Sequence, residues 1–130
     1  MIAIDTNVVV RLVVADDPRQ TAAARRLLEA ETVMVCTTVL LESEWVLRSA
    51  YGLSQERACK ALKSFCGLSA VCLNDEERVA QAFDLCEGGM DFADALHVAA
   101  AVGSEAFATF DRALRKKAGQ EFNGVKIRVL

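Results

Sequence analysis

Four acidic residues in the sequence have no obvious local partner for their charge. Asp5 follows the apolar run MIAI, and Asp111 follows the apolar run AFATF. Glu42 has no basic residue three or four positions away in either direction, and Asp94 opens the small, apolar run ALHVAAAV. Two unit charges 4 Å apart repel by about 4 kcal/mol at an effective dielectric of 20. If the four carboxylates converge, we expect raised carboxylate pKa values or recruitment of divalent cations.

The donor atoms of such a cluster would all be oxygens, which favour hard ions such as Mg²⁺ or Mn²⁺. A single histidine, His97, and cysteines without metal-ligand spacing argue against zinc. One or two hard cations can activate water, shield a phosphate and stabilise a leaving oxygen. The residues therefore predict a site for divalent cations, with Asp94 or Glu42 able to take the proton from a water molecule.

Two of these acids have a neighbour that competes for the same role. Asp91 has the position of a helix N-cap in GGMDFADALHVAAAV, where a carboxylate is also stabilised by the helix dipole. Glu44 has Arg48 at i+4, so a helix-surface ion pair explains it. We therefore assign Asp94 and Glu42 to the site, with Asp91 as a supporting group.

Four more side chains are candidates to support the acids. Thr6 and Asn7 follow Asp5 directly, and Asn7 is alternatively the cap of the next helix. Thr109 precedes Asp111 and could hydrogen-bond a carboxylate or simply belong to a turn. His97 lies three residues after Asp94 and could contact that carboxylate or fill core space.

The elements that must position these residues are short strands alternating with helices. Apolar runs predict strands at 2–4, 33–36, 71–73, 106–109 and 125–129. Capping patterns predict helix starts at Asp17-Pro18, at Ser54 and at Asn74. This alternation is typical of the α/β class, with a parallel sheet covered on both faces. Ligands collect beyond the carboxyl ends of such strands, where Asp5 and Asp111 fall.

Length and composition limit the alternatives. The chain has 130 residues, and 53% of them are apolar, so we predict one packed domain over 1–130. Five cysteines, an odd number without a C-x-x-C pair, predict buried, reduced thiols in the cytoplasm. We see no signal peptide and no membrane span. The net charge of −3 argues mildly against a nucleic-acid partner, less so if the acids share a metal site.

Four segments together resemble the PIN-domain ribonucleases, and more narrowly the VapC-type toxins of toxin–antitoxin pairs. They are MIAIDTNVVVRLV, TTVLLESEWVLRSAYGLS, MDFADALHVAAA and FATFDRAL, in the family's order. The resemblance implies a three-layer α/β/α fold with a short, mostly parallel central sheet. It places the family's acidic quartet on Asp5, Glu42, Asp94 and Asp111, and its Thr/Asn pair on Thr6 and Asn7.

The resemblance also implies activity and partners. Members bind Mg²⁺ or Mn²⁺, cleave RNA and usually form homodimers, and VapC-type members are neutralised by a cognate antitoxin. Four basic residues could then bind RNA phosphates, namely Arg11, Arg112, Arg115 and Lys116. The cluster that follows Asp111 is alternatively a solvated helix face.

Two other functions are compatible with parts of the sequence. An aspartyl-phosphate phosphotransfer domain would also place Asp5 after the first strand. However, Asn7 stands where the dehalogenase pattern has an acid, and no well-placed lysine follows a later strand. A non-catalytic module that binds RNA or protein would gain nothing from four clustered acids.

Overall fold

Short strands and helices alternate along the chain in a computed structural model that describes all residues, 1–130. Six strands and seven helices follow in the order β1 Ile2–Ala3, α1 Thr6–Val14, α2 Pro18–Ala30, β2 Val33–Val35, α3 Thr37–Ser49, α4 Gln55–Cys66, β3 Val71–Leu73, α5 Glu76–Glu87, α6 Phe92–Ala100, β4 Ala106–Thr109, α7 Arg112–Ala118, β5 Glu121–Phe122 and β6 Val125–Val129. The chain divides into two compact units, 1–76 and 77–130. The single domain predicted for 1–130 stays a prediction.

The first unit contains a parallel sheet in the order β1-β2-β3. Val33 of the central strand β2 pairs with Ile2 on one side and Val71 on the other. Val33 and Val35 are fully buried, as expected for the middle strand of a sheet covered by helices. Helix α1 packs on α2 and α3, and α3 packs on α4. Asp5 thus lies in the short connection between strand β1 and the packed helix α1.

The second unit contains a sheet in the order β4-β6-β5. Strands β4 and β6 are parallel with Thr109 opposite Val129, and β5 and β6 form an antiparallel hairpin. Strand β5 was not predicted. Its signal is the Asn-Gly pair at 123–124, whose φ values of 46° and 85° suit a tight two-residue turn. Phe83 and Phe92 stack in the core with ring centroids 5.3 Å apart.

Local hydrogen bonds explain where several helices begin. Asp17 accepts from the Gln20 N–H at 3.0 Å and Ser54 accepts from the Arg57 N–H at 3.2 Å, which confirms two predicted caps. The prediction for Asn74 is wrong. Its Oδ1 instead accepts from the N–H and hydroxyl of Thr37, at 2.9 and 3.0 Å, and so satisfies the start of α3. Helix α3 has no side-chain cap of its own at Cys36.

The α/β class with short, mostly parallel strands is confirmed, with the strands grouped as one three-stranded sheet in each unit. The five predicted strands are all present within one residue of their predicted ends. None of the seven helices combines the length and apolar character that a bilayer-crossing segment needs.

The expectation of five buried, reduced cysteines is only partly met. Cys36, Cys66 and Cys72 are free, and burial raises the pKa of the Cys66 thiol to about 11. Cys72 is exposed, which the apolar run VCL did not reveal. Cys59 and Cys86 are disulfide-bonded, so the prediction is wrong for these two.

Candidate active site

Helix α6 of the second unit begins with two acids that play different parts. Asp91 is the N-cap, and its Oδ2 accepts from the Asp94 N–H at 3.2 Å. Asp94 lies in the first helical turn and is half-buried. The cap explains Asp91 without any ligand. Asp94 does not cap the helix, and the helix dipole favours a negative charge in its turn as well.

Asp111 lies at the carboxyl end of β4 and caps α7. Its Oδ1 accepts from the Ala113 N–H at 2.8 Å and from the Leu114 N–H at 3.2 Å. Thr109 accepts through Oγ1 from the Asp111 N–H at 3.0 Å, which orients the backbone at this corner. This contact with a backbone N–H is the one that the alternative turn role expects, and a hydrogen bond from Thr109 to a carboxylate stays a prediction. Asp111 is exposed and keeps its second carboxylate oxygen available.

The electrostatic surroundings of Asp94 connect these groups. Burial raises the pKa of the Asp94 carboxyl above its usual value, and the negative charges of Asp91 and Asp111 raise it further. The positive charges of His97 and Lys117 act in the opposite direction on the same pKa. The structure therefore brings Asp91 and Asp111 within electrostatic reach of Asp94. Sequence reasoning did not connect Lys117 with Asp94, because the two lie on different helices far apart in sequence.

In the first unit, Asp5 is the N-cap of α1 and accepts from the Val8 N–H at 3.1 Å. This corrects the alternative in which Asn7 caps the helix. Asn7 is exposed and Thr6 is buried. Asp5, Asn7 and Arg11 line a groove of about 490 Å³ between α1 and α2. Asp5 thus has one local role and faces open space as well.

Glu42 and Glu44 lie on α3 in opposite environments. Glu42 is exposed and takes part in no ion pair. Glu44 is only 1% exposed, and its two oxygens accept from Nε and Nη2 of Arg48 at 2.6 and 2.9 Å. The predicted Glu44–Arg48 pair is therefore present, but it is buried on the glutamate side rather than a surface pair. Glu42 has no such structural partner.

His97 is exposed, so it does not fill core space as one alternative proposed. Its side chain lies on α6, one turn after Asp94, and its charge influences that carboxylate. Arg11, predicted to bind RNA, is instead held by Gln20 at 2.6 Å, Tyr51 at 3.0 Å and Asp16 at 3.4 Å. These contacts account for Arg11 locally, and an RNA contact by it stays a prediction.

The other three predicted RNA-binding residues share one face of α7. Arg112, Arg115 and Lys116 are spaced i, i+3 and i+4 and are all exposed. Together with Val129 and Leu130 at the end of β6 they line a groove of about 620 Å³, here called the basic groove. Three cations that line one groove are complementary in charge to a polyanion. This arrangement favours phosphate binding over the alternative of a solvated helix face.

Comparison with known protein families finds a match for this chain. The PIN domain matches residues 2–120, which covers both units. The chain belongs to the PIN-domain family. PIN domains are in general a nuclease fold and typically depend on divalent metal ions. No curated protein sequence gives a significant match.

In this PIN domain the predicted quartet is divided between the units. Asp5 and Glu42 belong to 1–76, and Asp94 and Asp111 belong to 77–130. No group of three or more His, Cys, Asp or Glu side chains is arranged so that it could hold a metal ion. Convergence of the four acids stays a prediction. Within the quartet, the structure describes one interaction, the effect of the Asp111 charge on the pKa of Asp94.

Proposed function

We propose that the chain is a metal-dependent endoribonuclease that hydrolyses RNA phosphodiester bonds with Mg²⁺ or Mn²⁺. The observation that carries this proposal, within a PIN domain, is Asp94. It is a half-buried carboxylate at a helix start, and its pKa is raised by burial and by two neighbouring acids. A protein keeps such a charge at a cost in stability, which is typical of sites organised for function.

The residues proposed to hold the metal are Asp5, Glu42, Asp94 and Asp111. Their donor set is entirely oxygen, which fits Mg²⁺ and Mn²⁺, and a cation would offset the repulsion that acts on Asp94. When bound, the metal would supply charge neutralisation at the scissile phosphate and an acidified water. Asp94 or Glu42 is proposed to take the proton from the attacking water.

Arg112, Arg115 and Lys116 are proposed to bind the phosphates of the RNA through the basic groove. Phosphate contacts position a nucleic acid and carry no sequence information. They therefore fix the strand beside Asp111, which directly precedes α7. Thr6, Asn7, Asp91, His97 and Thr109 are proposed to support the acids.

The biological role that we propose is that of the toxin in a VapC-type toxin–antitoxin pair. The support is that the four segments MIAIDTNVVVRLV, TTVLLESEWVLRSAYGLS, MDFADALHVAAA and FATFDRAL follow in the same order as the motifs of this branch of the family. The partners would be cellular RNA, a cognate antitoxin and a second copy of the chain in a homodimer, and the place of action would be the cytoplasm. We further propose that 1–130 works as one nuclease domain, since the PIN match runs across both units.

Cleavage of RNA by the purified chain tests the proposal. We expect cleavage with Mg²⁺ or Mn²⁺ and none in EDTA. Asp94→Asn should abolish cleavage, whereas the matched variant Asp91→Asn should retain most of it, because asparagine caps a helix about as well as aspartate. Equal loss in both variants would contradict the assignment of Asp94. Full activity in EDTA would overturn the metal-dependent mechanism.

A further inference from the structure

Phe110 is the most exposed large apolar residue of the chain. Its side chain is 82% exposed, compared with 60% for Trp45 and 64% for Leu130. A single exposed aromatic residue needs no explanation in itself. The position of Phe110 does, because it directly precedes Asp111 and directly follows strand β4.

Phe110 lies at the same end of the sheet as the basic groove. Strands β4 and β6 are parallel with Thr109 opposite Val129, and the Leu130 N–H donates to the Thr109 carbonyl at 2.9 Å. Leu130 lines the basic groove. Phe110 is also two residues from Arg112, a separation of at most about 7 Å between Cα atoms. The backbone of Phe110 therefore lies near the basic groove, and its exposed side chain is not one of those that line it.

The backbone on both sides of Phe110 is fixed. Thr109 is held in the ladder of β4 and by the Leu130 N–H, and its hydroxyl accepts from the Asp111 N–H at 3.0 Å. Asp111 in turn caps α7. The backbone of Phe110 therefore needs no further ordering when a ligand covers the ring.

We propose that Phe110 is a stacking platform for one base of a single-stranded RNA whose phosphates lie in the basic groove. This inference rests on the proposed ribonuclease function and adds a residue that positions the RNA. An exposed aromatic ring beside a cationic groove is the arrangement that binds single strands, because every base offers a π-face. Paired bases have both faces stacked in a duplex, so a double-stranded RNA cannot use this ring.

A protein partner is the competing occupant of this surface. The charges favour RNA, since one apolar ring beside Arg112, Arg115 and Lys116 offers a protein only a small apolar contact among cations. A strand with alternating phosphates and bases matches both features at once. Phe110 is accordingly a substrate-positioning residue and takes no part in the chemical step.

Binding of a fluorescein-labelled oligouridine in EDTA tests the inference, because without metal the RNA stays intact. Phe110→Ala should weaken binding roughly 5- to 150-fold, the range for one base stacked on an aromatic ring. Phe110→Tyr should restore binding to near the wild-type level. Leu68→Ala removes another exposed apolar side chain, in the first unit, and should leave binding unchanged.

An abasic oligonucleotide with the same number of phosphates separates stacking from charge. Phe110→Ala should bind it as well as the wild type does, whereas Arg115→Ala should lose affinity for both ligands. Wild-type affinity of Phe110→Ala for oligouridine would overturn the inference. An equal loss on both ligands would overturn it too. The proposed ribonuclease function fails separately, if the wild type cleaves no RNA with Mg²⁺ or Mn²⁺.

Discussion

At the residue scale, Asp94 is a candidate site residue because it is a partly buried carboxylate that does not cap its helix. Its run of apolar neighbours predicted a position beside the core, and it is half-buried. The sequence could not predict which charges surround it, because Asp111 and Lys117 come from later elements. Asp91, by contrast, was recognisable as a cap from spacing alone.

Asp94 makes the stability of the metal-free protein depend on pH. Because folding raises the pKa of Asp94 above its usual 3.8, the folded state binds this proton more tightly than the unfolded state. The resulting stability is fully present below pH 3.8 and is lost as the pH rises through the folded-state pKa. Asp94→Asn should therefore melt a few degrees higher than wild type at pH 7 and show no advantage near pH 3.

Thermal melts in EDTA across pH 3–8 measure this difference. Asp84→Asn, which removes an exposed carboxylate from α5, is the matched control and should melt like the wild type at every pH. A lower melting temperature for Asp94→Asn at pH 7 would mean that Asp94 is a structural residue.

Glu42 and Glu44 allow a direct separation of function from stability. Glu44→Gln removes the charge from a buried bidentate contact with Arg48 and should lower the free energy of unfolding by about 2 kcal/mol. Glu42→Gln alters an exposed side chain without an ion pair, so stability should stay unchanged while RNA cleavage is lost.

Urea unfolding and the specific activity of the folded fraction give both readouts for both variants. A stable, fully active Glu42→Gln variant together with an inactive Glu44→Gln variant would reverse the assignment. Such a result would require that α3 presents the other glutamate to the site.

At the scale of elements, helix starts serve two purposes in this chain. Asp5, Asp91 and Asp111 each cap a helix, and two of them also follow a strand. Strand ends and the starts of α2, α4 and α6 could be predicted because they depend on residues close in sequence. The start of α3 could not, since Asn74 reaches it from after β3. The hairpin β5–β6 could have been predicted from Asn123-Gly124.

Asp111 is the residue at which capping and the proposed catalysis coincide. Asp111→Asn should keep the cap and the stability of α7 but lose cleavage, whereas Asp111→Ala should lose cleavage and about 1 kcal/mol of stability. Ser54→Ala removes the cap of α4 and is the control, since it should cost similar stability without loss of specific activity. Urea unfolding and cleavage rates distinguish these outcomes. Full cleavage by Asp111→Asn would remove Asp111 from the site.

At the scale of the whole molecule, the net charge is −3, yet positive charge is concentrated at one place on the surface. Three cations share the basic groove, and that groove requires the end of β6 to lie beside α7. Sequence patterns predict elements one at a time and do not predict such a pairing. For the same reason, residues 1–76 and 77–130 could not be distinguished as two compact units from composition.

The basic groove predicts how RNA binding depends on salt. Each phosphate contact with a single strand contributes about 0.7 to the slope of log K against log salt concentration. Arg115→Ala should reduce that slope by about 0.7 and weaken binding similarly for all RNA sequences. Arg25→Ala removes an exposed cation from α2 and should leave the slope unchanged. Identical slopes for wild type and Arg115→Ala would exclude Arg115 from phosphate binding.

The central claim is that Asp94 belongs to an acidic metal site that cleaves RNA. A titration with Mn²⁺, in which thermal stability and RNA cleavage are followed in the same samples, tests it most directly. The wild type should gain stability by mass action and gain cleavage over the same concentration range, while Asp94→Asn should gain neither. Cleavage by the wild type before any Mn²⁺ is added to the chelated protein, or equal stabilisation of Asp94→Asn, would contradict the claim.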